Sequence, residues 1–321
     1  MIISEEKESR DSAVVQLIDF NLNRNENSLV PDLFQKLNNT MKNSPSVKNH
    51  LKFSQNFEKI GVVLLMDDGI DLVISEQYDC LIINDGNYLK IYNLPQEGDG
   101  INLSVDRFKC LLSVQYEYSF ACMKLVNERG EDFIYATARG DCVVIKIRVS
   151  DLMKGEPTLI WQSIFAVEIE KLDVFKNKVY ITSGSEIIIL DSSNGQPPIL
   201  EVNMPAIVDG YYLKILSENQ ILVGDNEKLK LYGRNNGEWI LISDFLIGGI
   251  TYIYHEEVSN LLYISINQNK GNISVIEMKN GNFELVKTFG EFVYNTGMKI
   301  DRRSGYLYVC NTCSFEVLIY K

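Results

Sequence analysis

Histidine is almost missing from this chain: His50 and His255 are two in 321 residues. That count rules out a zinc site built on several imidazoles. Basic charge is also in deficit, with 31 Lys and Arg against 43 Asp and Glu and a net charge of -12. Such a field opposes approach to phosphate backbones, so nucleic acid is not an expected partner. Long apolar runs are lacking as well, the densest being GVVLLM (Gly61 to Met66), far short of a bilayer crossing. The opening MIISEEKESRDS has neither the basic nor the apolar region of a secretory signal. A cytoplasmic protein with no membrane partner is expected. Six cysteines form an even set, but without an export signal a small disulfide scaffold is the wrong comparison. Cys80, Cys110, Cys122 and Cys142 lie among strand-like apolar residues, where a reduced cysteine acts as a small buried hydrophobe.

What is present is a repeat. Apolar triplets recur at Leu81-Ile82-Ile83, Ile134-Tyr135-Ala136, Val179-Tyr180-Ile181, Ile221-Leu222-Val223, Leu262-Tyr263-Ile264 and Leu307-Tyr308-Val309, with middle residues stepping by 53, 45, 42, 41 and 45. A four-stranded propeller blade has about that period, roughly 40–50 residues. Each triplet is followed by a polar turn and a second strand: YLKIYNL, CVVIKIRV, EIIILD, KLKLYG, NISVIEM and FEVLIYK. Asn194-Gly195, Asn236-Gly237 and Asn280-Gly281 then lead into a further strand, and Asn-Gly tolerates the positive φ of a type I′ hairpin turn. A fourth strand precedes each triplet, as in SFACMKLV, GYYLKIL and TGMKID. The expected fold is therefore all-β, a six-bladed propeller with four-stranded antiparallel blades.

The sixth copy ends at FEVLIYK without its outermost strand, which would leave unpaired backbone at an edge. HLKFSQNF (His50 to Phe57) matches the other outer strands, including a terminal phenylalanine, and is the expected closing strand. AVVQLIDFNL (Ala13 to Leu22) is the alternative donor. Residues 1–49 form an N-terminal extension with an expected helix in PDLFQKLNNTMKN, entered through Pro31, whose apolar face is Leu33, Phe34, Leu37 and Met41. The propeller spans residues 50–321.

The order of strands and turns in GIDLVISEQYDCLIINDGNYLKIYNL and GMKIDRRSGYLYVCNTCSFEVLIYK resembles the NHL-repeat family of six-bladed propellers. Asp85-Gly86-Asn87 followed by Leu89-Lys90-Ile91-Tyr92 is the nearest match. WD-repeat proteins compare less well, because Trp161 precedes Gln162, Trp239 precedes Ile240, and the Gly-His mark is lacking. A propeller holds loops on two faces at fixed positions around a rigid ring, a geometry that suits protein or peptide partners. The amidating-lyase relatives of NHL proteins use several histidines, which this chain does not supply.

The candidate sites are few. Cys310 and Cys313 form a CxxC without a second ligand pair, in a hairpin and not at a helix start, so they are expected to be turn residues. His255 stands beside Glu256 and Glu257 and is expected to solvate a loop. A calcium on the axis, as in six-bladed lactonases, would have Glu168, Asp209 and Asn295 to draw on, which is not a ring of oxygen ligands. Basic pairs at Arg302-Arg303, Lys146 with Arg148 and Lys228 with Lys230 alternate with apolar residues, as on half-exposed strands. Trp161 and Trp239 are expected to pack between blades. No catalytic, cofactor-binding or metal residue is expected. The expected function is a non-enzymatic protein-interaction scaffold within a larger assembly, and the alternative is a metal-dependent hydrolase or lactonase with an axial site.

Overall fold

Short β-branched and aromatic runs, interrupted by Gly, Asn and Asp, favour strands over helices. The computed structural model describes residues 57–65, 69–94, 108–138, 140–184, 186–196, 200–203, 212–267, 271–292 and 294–321. The extension over residues 1–49, with the helix and the alternative donor Ala13 to Leu22 expected in it, and His50 to Asn56 lie outside those residues.

A first strand, β1 (Lys59–Leu64), is followed by blade 1, formed by β2 (Gly69–Ser75), β3 (Cys80–Asp85), β4 (Tyr88–Asn93) and β5 (Cys110–Gln115). Blade 2 comprises β6 (Cys122–Glu128), β7 (Glu131–Ala138), β8 (Val143–Arg148) and β9 (Leu159–Ile164), with a single helical turn, α1 (Val149–Leu152), before its last strand. Blade 3 holds β10 (Leu172–Phe175), β11 (Lys178–Ser183), β12 (Glu186–Asp191) and β13 (Leu200–Asn203). Blade 4 holds β14 (Tyr212–Ser217), β15 (Gln220–Gly224), β16 (Lys228–Asn235) and β17 (Glu238–Leu246). Blade 5 holds β18 (Ile250–Glu256), β19 (Leu261–Ile266), β20 (Gly271–Lys279) and β21 (Asn282–Phe292). Blade 6 holds β22 (Asn295–Asp301), β23 (Tyr306–Asn311), β24 (Glu316–Tyr320) and, across the seam, β1. The inner strands β2, β6, β10, β14, β18 and β22 contact one another in that cyclic order, β22 returning to β2. This is a six-bladed β-propeller.

The seam is closed by an early strand, as expected, but not by the expected one. β1 pairs with β24 from Lys59 opposite Tyr320 to Leu64 opposite Glu316, so the closing segment follows HLKFSQNF. Phe57 stacks on Phe289 of blade 5, with ring centroids 3.7 Å apart, and meets Tyr263 edge-on. The terminal phenylalanine that suggested an outer strand therefore packs against the adjacent blade, while Val62 and Val63 supply the β-branched pairing residues opposite Leu318 and Val317.

The core is divided among the blade interfaces. One cluster joins blades 1 and 2, another blades 2 and 3, and Tyr308, Cys310 and Val317 of blade 6 pack with Leu81 and Ile83 of blade 1. The triplets sit at its centre: Leu81, Ile134, Val179, Leu222, Leu262 and Leu307 are fully buried, each contributing about 1.5–3 kcal/mol by transfer from water. Asn236-Gly237 and Asn280-Gly281 have positive φ at both residues, as a type I′ turn requires. Asn194-Gly195 does not, for only Gly195 is positive there. Gly195 lies so close to Trp161 that an added Cβ would stand 2.4 Å from its ring.

Outer strands share a device that the repeat pattern does not reveal. Pairing slips by one residue in β1, β5, β9, β17 and β21, leaving Ile60, Leu111, Ile160, Ile242 and Val286 as the extra residues. Such bulges bend an edge and hinder another strand from adding to it.

Candidate functional site

The inner strands carry charge at matching registers. Leu72, Met123, Leu172, Leu213, Ile253 and Met298 each pair with the last residue of their blade's triplet. The residue after each is Val73, Lys124, Asp173, Lys214, Tyr254 and Lys299; the residue before is Asp71, Cys122, Lys171, Tyr212, Tyr252 and Gly297. Ring closure brings these side chains together around the axis, four lysines against two aspartates.

Asp173 is the anchor. It is 1% exposed; Oδ1 lies 3.0 Å from Lys124 Nζ, and Oδ2 lies 3.3 Å from Lys214 Nζ while accepting the Ile215 N–H at 2.8 Å. Burial pushes this carboxyl up, but the two lysines outweigh burial and hold it at about 2. Burial also opposes the Lys124 charge, yet Asp173 keeps its pKa above the usual lysine value. For Lys214, burial wins and the pKa falls.

Asp71 is fully buried and accepts the Leu72 N–H at 2.8 Å and, across the blade boundary, the Met123 N–H at 2.7 Å. Burial pushes its carboxyl up despite the pull of Lys299 and Lys171. Gly297 permits this arrangement, since a Cβ there would stand 2.6 Å from Asp71 Oδ1. Lys299 donates to the Tyr252 hydroxyl at 2.7 Å and lies 5.2 and 5.6 Å from the centroids of Tyr252 and Tyr254. Among the described residues no carboxylate stands within ion-pair distance of it. Burial lowers its pKa to about 8.

Two cavities open along the axis. One of about 600 Å³ is reached from the starts of the inner strands and touches Ile70, Ala121, Lys171, Thr251 and Thr296. The other, of about 230 Å³, is bounded by Val73, Glu76, Lys124, Tyr254, Lys299 and Arg302, so that cations and a carboxylate share its wall.

The residues singled out from the sequence are scattered. Cys310 is fully buried in β23, a strand residue and not a turn residue, whereas Cys313 is exposed in the 3-10 turn Thr312–Ser314. Burial pushes the Cys310 thiol well up, so the pair is not a poised dithiol. Cys80 and Cys122 are buried as expected, but Cys110 is exposed on β5 and Cys142 half-buried in a turn. His255 does not solvate a loop: it is half-buried, 3.0 Å from Asn260 Oδ1, and burial lowers its pKa. Glu168 is exposed in the connection between blades 2 and 3, Asn295 is buried in blade 6, and Asp209 lies outside the described residues. Trp161 donates to the Ser192 carbonyl at 3.0 Å between blades 2 and 3, and Trp239 packs against the core cluster shared by blades 3 and 4.

The basic pairs are compensated locally. Lys146 is 3% exposed, bound to Glu128 at 2.8 Å, and not on a mixed surface. Lys230 is buried with Asp225 at 2.5 Å, and Lys228 meets Asp244 at 2.6 Å. Arg302 and Arg303 face Glu256 at 3.5 Å and Asp79 at 2.5 Å.

No family model matches this chain, and no curated protein matches it. Solved structures do. The β-propeller domain of Cps50 (Swd1) from Myceliophteria thermophila superposes with a TM-score of 0.56 at 8% identity, covering 83% of this chain and 99% of that domain. A putative 6-phosphogluconolactonase from Bacteroides fragilis superposes with a TM-score of 0.53 at 9% identity, over 75% of this chain and 76% of that one. At such identities the likeness establishes the propeller fold and no activity.

The axial charges escaped the sequence reading. Their signal was a lysine or aspartate between two apolar residues at one register of four repeats, MKL, LDV, LKI and MKI. That alternation also describes a half-exposed strand, and only the ring turns it into a converging set.

Proposed function

We propose that this propeller is a non-enzymatic platform for a protein partner. The observation that supports this reading is an apolar stretch of outer rim on blades 4 and 5. On β17, Ile240, Leu241 and Ile242 are 47%, 44% and 47% exposed and Leu246 is 75% exposed; on the neighbouring β21, Leu285 and Val286 are each 52% exposed. Contiguous exposed apolar surface on a soluble domain marks interaction sites. Because both strands carry a bulge, the partner docks through side chains, with an apolar face of its own, and not by extending the sheet. Within propellers, the Asp85-Gly86-Asn87 turn favours the NHL type, and Gly86 takes the positive φ of 62° that such a turn calls for.

A metal-dependent hydrolase is less well supported. Among the described residues no group of three or more His, Cys, Asp or Glu side chains is placed to hold a metal, and lysines outnumber carboxylates on the axis. Among the described residues no helix is long and apolar enough to cross a membrane.

The test is affinity capture with the full chain, with residues 1–49 deleted, and with the double variant Leu241→Lys and Leu285→Lys. A partner retained by the full chain and lost from the double variant is expected. Retention undiminished by the two charges would refute this surface, and a metal found in stoichiometric amount in the purified protein would favour the hydrolase.

A further inference from the structure

The apolar rim of blades 4 and 5 differs from the rest of the molecule in charge as well as in exposure. The chain carries a net charge of -12, whereas β16, β17, β20 and β21 together hold five Lys or Arg and five Asp or Glu. Two of these pairs are closed at the rim itself, Lys228 with Asp244 at 2.6 Å and Lys279 with Glu277 at 2.7 Å. Copies of an acidic chain repel one another, and the repulsion is least where the local charge cancels. A strongly charged partner, by contrast, would find no field here to steer it.

The two outer strands also act as one surface. Ile242 lies 3.5 Å from where a Cβ on Gly281 would stand, in the turn before β21, and Ser243 donates to the Gly281 carbonyl. Phe245 and Phe283, with ring centroids 6.1 Å apart, pack against the core. Among the described residues the other outer strands expose large apolar side chains singly or at opposite ends, as Leu64 on β1, Leu111 on β5, and Leu159 and Ile164 on β9.

From these observations we infer that the partner at this rim is a second copy of the chain, the two β17–β21 surfaces packing on one another around a two-fold axis. The inference rests on the platform reading and names its partner. A two-fold contact requires a surface that complements itself. An apolar strip bordered by equal numbers of both charges meets that requirement, since apolar side chains face apolar side chains and each sign of charge finds the other. The exposed parts of Ile240, Leu241, Ile242, Leu246, Leu285 and Val286 amount to roughly 600 Å², as much as the largest apolar patch on an ordinary monomer. With the polar residues between them, the rim approaches the about 800 Å² that each partner buries in a standard interface. The bulges at Ile242 and Val286 keep the two edges from joining into one sheet. The contact therefore runs through side chains and closes at two copies instead of propagating.

The experiment is analytical ultracentrifugation of the full chain at concentrations on either side of about 1 μM, the weak end for interfaces of standard size. A monomer–dimer equilibrium without larger species is expected. Leu246→Lys combined with Leu285→Lys should weaken it by about tenfold or more, whereas Ile164→Lys, at a residue 70% exposed on blade 2, should leave it unchanged. Should the double variant not fold, amide exchange in the unaltered protein at low and high concentration serves instead: amides of β17 and β21 should gain protection with concentration, and those of β9 should not. A full chain that stays monomeric at about 100 μM overturns the inference. If that monomer still captures a different protein through the rim, the platform stands with another occupant and only the second copy is lost. Dimerisation of equal strength in the double variant, open-ended growth, or protection unchanged on β17 and β21 overturns the inference as well.

Discussion

Lysines occur in two settings, buried at the blade faces and half-buried on the axis, and the two are compensated differently. At the blade faces each has its own acid: Lys90 with Asp85, Lys146 with Glu128, Lys230 with Asp225. On the axis Lys124 and Lys214 share Asp173, Lys214 also standing 4.0 Å from the exposed Glu257, and Lys299 has the Tyr252 hydroxyl. A lysine with a private carboxylate and a backbone acceptor, as Lys146 has in the Ser192 carbonyl at 3.1 Å, belongs to the packing of the blades. A lysine without one, as Lys299 is, relies on the Tyr252 hydroxyl and on the longer-range pull of Asp71. The difference separates pairwise from shared compensation within one architecture.

The largest break in the comparison comes from Asp173→Asn. It strands Lys124 and Lys214 together, and chemical denaturation should show a loss of about 3–5 kcal/mol. A loss below 1 kcal/mol, within the range of exposed pairs, would mean that water already screens the axis. Next in size is Lys146→Met, which forfeits the bond to Glu128 while keeping the aliphatic packing over Phe133, where Nζ lies 4.3 Å from the ring centroid. It should cost about 1.5–3 kcal/mol in the same assay. Lys299→Met should behave oppositely, leaving stability unchanged or raising it by about 1 kcal/mol, because Tyr252 keeps its ring contact with Tyr212, centroids 5.0 Å apart. A clear loss would make Lys299 a structural lysine like Lys146.

Titration sharpens the contrast further. Lys299 has a folded pKa of about 8 against 10.5 unfolded, so the unfolded chain binds more protons between those values. Stability should therefore rise with pH through that window, and Lys299→Met should remove the rise. The groups around Lys299 that share in this are Asp71, Lys124, Cys122 and Lys214. For Asp173 the folded value of about 2 lies below the unfolded 3.8. Its contribution is complete above about pH 4 and lost as pH falls toward 2, and Asp173→Asn should flatten that acid limb.

Much of the architecture was legible in the residues because blades are local. The triplets, the polar turns and two of the three Asn-Gly hairpins act within about 45 residues, and the structure places each triplet in a middle strand. Closure was legible as a need, since β24 could not remain an edge, but not as a choice. Val62-Val63 and Phe57 lie within a few residues of one another, and which segment pairs with β24 is settled by the blade 5 contacts of Phe57. The site was least legible. Lys124, Asp173, Lys214 and Lys299 read as ordinary alternation, and Cys310 and Cys313, which drew attention as a pair, stand one buried and one exposed.

By itself, the sequence determined six repeats, four strands in each and a ring that must be sealed, because hydrophobic period and turn chemistry act over short spans. Only the tertiary structure decided which strand seals the ring and which charges meet on its axis. Those outcomes depend on groups from different blades sharing one small volume, where electrostatic strength rises as water is excluded.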